Sequence, residues 1–194
     1  MNQTSESVRK ADYPIDNLFI NRWSPRSFLD KDVPEDTLYS VFEAARWAPS
    51  ASNNQPCRFI IARTEADKEN FYSFIYEGNL VWCKRAPVLA AILSKKSVEG
   101  NPNLYHAFDT GTAWGHLALQ ASMKGLITHA MGGFDRDAAR KALNVPEDYD
   151  IQAIIAIGYQ GPKDVLPENY QEREAPTPRR PLNELLFEGK FSNI

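Results

Sequence analysis

"APVLAAIL", residues 86–93, has no charged or hydrogen-bonding side chain at any position. A strand with one face in water alternates apolar with polar residues, whereas a run that is apolar at consecutive positions needs cover on both faces. The centres of "CRFIIAR" (57–63) and "IQAIIAIGY" (151–159) share this character. Helical stretches stand between these three buried strands. The pattern therefore predicts an α+β chain in which a small mixed sheet carries helices on both faces.

Outward from the strands, "VPEDTLYSVFEAARWAPS" (33–50) reads as an amphipathic helix. Pro34 stands in its first turn with Glu35 and Asp36 beside it, Leu38, Val41, Phe42 and Ala45 recur at helical spacing, and Pro49 stops it. "EADKENFYSFIY" (65–76) reads as a helix, and residues 104–124 as one long helix ended by Gly125. Its Gly111, Ala113, Gly115 and Ala118 permit close helix packing. "FDRDAARKALN" (134–144) is a capped helix, and "PIDNLFINR" sets Ile15, Leu18 and Phe19 on one face of a short one.

With 194 residues, 43% of them hydrophobic, the chain can bury one sizeable core. A net charge of -3 argues against a general nucleic-acid or membrane-surface binder, so an anion site has to be a local concentration of cations. The longest apolar run, 86–93, is too short to span a bilayer. Two cysteines without a CxxC suggest neither a disulfide framework nor a metal site, which fits a reducing cytoplasm. Residues 1–14 are polar and read as a loose tail, leaving a single domain over 15–194. Its last part, 160–194, changes from proline-rich to "PLNELLFEGKF", whose leucines and phenylalanines need a surface to bury. An extended arm that docks on a second subunit is expected.

Four segments place unusual polar or glycine content beside regular structure: "RWSPRSF" (22–28), "APSASNNQPCRF" (48–59), "MGGFD" (131–135) and "PRRPLNEL" (178–185). In this order they resemble the FMN-dependent nitroreductase family. That family has an N-terminal Arg-x-Ser-x-Arg stretch, an Ala-Pro-Ser-x-x-Asn-x-Gln-Pro loop before the first strand, a glycine-containing turn and a C-terminal basic pair around one flavin. The resemblance runs from about Ile15 to Phe191 and implies a three-layer fold. It also implies a homodimer with FMN at the interface and NAD(P)H as co-substrate.

FMN asks for cations and hydroxyls at its phosphate, hydrogen bonds along the pyrimidine edge and a slot for the ring. By resemblance, Arg22 and Ser24 hold the phosphate and ribityl side, with Trp23 between them. Arg26 lies near N1 and O2, where a positive charge favours the reduced flavin. Pro49, Ser50, Asn53 and Gln55 form the loop, Asn53 matching the family's flavin-contacting asparagine. Gly132 and Gly133 let backbone N–H groups approach the ring, and Arg179 and Arg180 form the basic pair. Cys57 departs from the tryptophan common after Gln-Pro in the family.

His106, His116 and His129 read as structural or pocket-lining, because no Ser-His-Asp order or GxSxG elbow accompanies them. Neither GxGxxG after a strand nor GxxxxGK[ST] occurs, so nicotinamide has to visit the flavin rather than a Rossmann site. The expected reaction is reduction of nitro compounds, quinones or related small oxidants by NAD(P)H, with hydride passing through the flavin and no side chain acting as a covalent catalyst. The competing expectations are a flavin-sequestering protein, a flavin-free domain that meets an acidic peptide, and a dehalogenase-like branch, for whose lid residues 71–104 leave little length.

Overall fold

The computed structural model describes residues 8–192. Along the chain run α1 (Asn17–Asn21), α2 (Glu35–Arg46), β1 (Cys57–Ala62), α3 (Glu65–Tyr72), α4 (Glu77–Cys83) and β2 (Val88–Lys95). A short hairpin, β3 (Ser97–Val98) and β4 (Asn101–Pro102), leads into α5 (His106–Met123), β5 (Ile127–Met131), α6 (Arg136–Ala142), β6 (Tyr149–Gly158) and α7 (Glu168–Gln171).

The main sheet has the order β1-β2-β6-β5, and all three of its pairings are antiparallel. The α+β layering is as expected, but the mixed sheet is corrected to an antiparallel one. Consecutive apolar residues report cover on both faces and say nothing of strand direction. Both central strands are covered in this way. Val88, Ala90 and Ile92 of β2, with Ile155 and Ile157 of β6, pack with Leu38, Val41 and Leu117 from α2 and α5. Leu89, Ala91 and Leu93, with Ile154 and Ala156, pack with Phe71, Trp82, Phe134 and Ala139 on the other side. Alternate side chains point to opposite faces, so one strand serves two cores.

Helix bounds follow local chemistry. Pro34 is the N-cap of α2 rather than its first helical residue. Thr64 Oγ1 accepts the Asp67 N–H at the start of α3, and Asp135 Oδ1 accepts the N–H groups of Asp137 and Ala138 at α6. Gly125 has φ +74°, the left-handed conformation that ends α5. The stretch expected as one helix to residue 76 stops at Tyr72, and α4 follows as a separate helix. Neither α4 nor β5 was expected from the sequence.

Two apolar faces remain open in the single chain. No residue of α1 is buried, and Ile15 and Phe19 are exposed. Leu185, Leu186 and Phe191 of the C-terminal arm are exposed as well. Of the expected loose tail, residues 1–7 lie outside the described residues. Arg9, by contrast, is only 8% exposed and donates to the carbonyls of Thr177, Ile20 and Arg22. No helix among the described residues is long and apolar enough to cross a membrane.

Candidate cofactor-binding site

The segment 22–28 is extended, and its backbone is fastened from several sides. Arg9 Nη1 donates to Arg22 O at 2.8 Å. His129, on β5, bonds Pro25 O through Nδ1 at 3.0 Å, so that nitrogen carries the proton. Glu174 Oε1 accepts the N–H groups of Arg26 and Ser27 at 2.7 and 2.9 Å. The Ser27 hydroxyl donates to Pro162 O, and Gly161 N–H donates to Ser27 O. The main chain of the segment is thus held independently of its arginine side chains.

Those side chains collect positive charge. Burial and the nearby Arg179 lower the pKa of Arg22 below the ordinary arginine value, and burial, Arg179 and Arg22 do the same to Arg9. Arg22 Nη1 reaches Ser24 Oγ at 3.4 Å. No ion pair among the described residues involves Arg9, Arg22 or Arg179, whereas Arg26 stands 3.8 Å from Glu174 Oε2. Burial lowers the pKa of His129 as well, with Arg26 and Arg22 adding to the effect, which keeps its ring neutral. Arg9 spends its donors on backbone carbonyls, whereas Arg22 and Arg179, without a carboxylate partner among the described residues, bring together positive charge that suits a multiply charged anion such as the phosphate of FMN.

The glycine turn follows β5 directly. A Cβ on Gly132 would meet nothing within 4 Å, so its backbone is open to an approaching ring. Gly133 differs: a Cβ there would lie 2.5 Å from Asn79 Nδ2, which donates to Gly133 O at 3.1 Å. The second glycine therefore answers to packing. Of the C-terminal pair, Arg179 faces the cluster, while Arg180 is exposed and pairs with Glu184 at 3.4 Å. Trp23 is half-buried.

Pro49, Ser50, Asn53 and Gln55 form a second group. Ser52, Asn53 and Gln55 have φ values of 51°, 56° and 47°, left-handed backbone that costs a non-glycine residue on the order of 1–3 kcal/mol. The loop is braced by the Ala51 N–H bond to the buried Asp109 Oδ2 at 3.1 Å and the Gln55 N–H bond to Ser50 Oγ at 2.9 Å. Gln55 Nε2 turns back to Asn53 O. Cys57 lines a cavity of about 380 Å³ next to this loop, together with Phe42 and Phe59. Burial pushes its thiol up to about 12, which leaves no reactive thiolate there.

The two groups stand apart. The loop enters β1 at one edge of the sheet, whereas His129 and the glycine turn belong to β5 at the other, about 14 Å away across three strand spacings. Among the described residues no hydrogen bond or ion pair joins loop 48–56 to segment 22–28. Arg9, Asp109, Glu174 and the bond of His129 to Pro25 O escaped the sequence reading. Their partners lie far away in the chain, 168 positions between Arg9 and Thr177, so no local spacing announces them. His106 is structural, its Nδ1 2.8 Å from the fully buried Ser94 hydroxyl. Among the described residues no group of His, Cys, Asp and Glu could hold a metal.

An antiparallel sheet between helical layers, with arginines gathered around segment 22–28 and a glycine turn after β5, places the chain in the α+β class. The chain belongs to the nitroreductase family, whose model matches residues 20–159. It is 40% identical, with a TM-score of 0.92 over 96% of this chain and 97% of the other, to a crystal structure described as "the oxidoreductase containing FMN". A nitroreductase family protein of Clostridium difficile 630 shares the fold at 23% identity and TM-score 0.72, covering 90% and 98% of the two chains. In Streptomyces coelicolor, a protein named "Putative NADH dehydrogenase/NAD(P)H nitroreductase" is 29% identical over 73% of this chain and 81% of its own.

Proposed function

We propose that this chain is an FMN-dependent oxidoreductase of the cytoplasm that uses NAD(P)H to reduce nitro compounds, quinones or related small oxidants. The observation that carries the reading is the pairing of Arg22 with Arg179, close enough to lower the pKa of Arg22, with no ion-pair partner for either among the described residues. The 40% identical structure containing FMN and the name of the Streptomyces relative support it. Bound FMN supplies two-electron redox chemistry between the nicotinamide and the acceptor. The protein's part is positioning and electrostatics. Arg22, Ser24 and Arg179 neutralise and orient the phosphate, Arg26 brings positive charge toward the pyrimidine edge, and Gly132 offers an unobstructed backbone N–H. Asn53 and Gln55 supply amide groups from the strained loop.

The working unit in this reading is a homodimer. Each cofactor is held between the arginine half of one protomer and the 49–55 loop of its partner, which explains why one chain carries the halves at opposite sheet edges. The exposed leucines and phenylalanine of the C-terminal arm find their cover on that partner. The test is spectroscopic. Purified protein should show flavin absorption, release FMN rather than FAD on denaturation, and bleach when NAD(P)H is added without oxygen. A colourless protein that cannot be reconstituted with FMN overturns the proposal, and a yellow protein that stays oxidised under NAD(P)H reduces it to flavin storage.

A further inference from the structure

Glu174 stands out among the groups this reading leaves unused. It lies in the C-terminal arm just beyond α7, with a side chain 3% exposed. One oxygen accepts two consecutive backbone N–H groups, those of Arg26 and Ser27, from a segment 148 and 147 positions away. The other oxygen, Oε2, is buried without a hydrogen-bond partner, and Arg26 Nη1 approaches it only to 3.8 Å.

A backbone tie alone does not need a charge. A neutral acceptor could take both N–H groups without burying a carboxylate, which costs several kcal/mol unless other interactions offset it. Here the charge stands against Arg26, while Arg9, Arg22 and Arg179 form no ion pair among the described residues. At 3.8 Å the Arg26 guanidinium is attracted but not captured, so it stays available to a ligand while its field is partly cancelled.

We propose that Glu174 is the positioning residue for Arg26: it fixes the main chain at Arg26 and Ser27 and sets how much of the Arg26 charge faces the bound cofactor. The inference rests on the flavin reading of the site. Glu174→Gln keeps an acceptor for both N–H groups and removes the charge, and Glu174→Ala removes both. With the negative charge gone, the Arg26 guanidinium is no longer drawn back toward residue 174 and turns its charge toward the cofactor, which favours the reduced flavin. Glu174→Gln should therefore bind FMN within about threefold of the unaltered protein while its preference for reduced over oxidised FMN rises about tenfold, a midpoint shift of about +30 mV for two electrons. In an Arg26→Gln background most of that shift should disappear, because the effect passes through Arg26. By amide hydrogen exchange of the cofactor-free protein, Arg26 and Ser27 should exchange at least about tenfold faster in Glu174→Ala and remain protected in Glu174→Gln. An unchanged potential in Glu174→Gln, a shift that persists without Arg26, or unchanged exchange in Glu174→Ala overturns the proposal. Protein that takes up no FMN at all instead overturns the functional reading and the charge-setting role with it, while the exchange result still decides whether Glu174 positions the segment.

Discussion

Arg22 is half-buried beside Arg179, and neither charge meets a carboxylate among the described residues. A phosphate that neutralises them forms charge-assisted hydrogen bonds, the stronger kind. Arg22→Ala is expected to weaken FMN binding by about 1.5–3 kcal/mol, read by fluorescence titration of the cofactor-free protein; an unchanged dissociation constant takes Arg22 out of the site. The adjacent glycines give a paired prediction. Gly133→Ala displaces Asn79 Nδ2 and loses its bond to Gly133 O, so thermal denaturation should register about 1 kcal/mol of lost stability. Gly132→Ala should leave stability unchanged and lower cofactor affinity, since its surroundings are empty until a ring arrives. The sequence offers both glycines equally as turn formers, and only the position of Asn79 separates them. Arg22, Ser24 and Arg26 can be proposed from the sequence because their spacing is a local motif. Glu174 is one of several acids in "ENYQEREAP", and nothing local distinguishes it from its neighbours.

Among the elements, the central strands and α2 could be read from apolar spacing alone, because burial on two faces or one stripe leaves a direct trace in composition. β5 left no such trace. "ITHAM" carries a buried threonine and a histidine whose ring packs at a tilt against Trp82, 4.6 Å between centroids. As an edge strand it supports the arginine segment on a polar group, which an apolar run could not do. That support should be sensitive to acid. The folded-state pKa of His129 lies below its ordinary value of 6.5, so the unfolded chain binds the proton first. Its contribution is intact above pH 6.5 and is lost as the pH falls from there through the lowered folded value. Chemical denaturation at a series of mildly acidic pH values should therefore show stability declining across this window, with a flatter profile for His129→Gln. An identical slope in the variant would assign the acid sensitivity to other groups. α4 was missed because Gly78 and Asn79 weaken helix propensity, and tertiary packing of Trp82 and Cys83 overrides it.

For the whole molecule, the separation of the two half-sites gives a test that needs no structure of the dimer. One preparation carries Arg22→Ala and the other Asn53→Ala, each inactive alone in the proposed arrangement. Co-expression should restore up to about half the activity per mixed dimer, because one of its two sites then combines an intact Arg22 with an intact Asn53. If both groups came from one chain, every site in the mixture would stay broken and no activity would return. The grip of Arg9 on Thr177 and Arg22, and the Leu182 N–H bond to Asp12, have a further consequence for the order in which the protein is made. Synthesis runs from the amino end, and earlier elements fold as they emerge. The four sheet strands are all available once Gly158 has been translated, yet the segment 22–28 must wait for Glu174 and Thr177, which emerge later. The ribosome thus delivers the sheet first and the anchors of the arginine segment afterwards, so a nascent chain interrupted between Gly158 and Glu174 would carry its four strands with the backbone of Arg26 and Ser27 still untied.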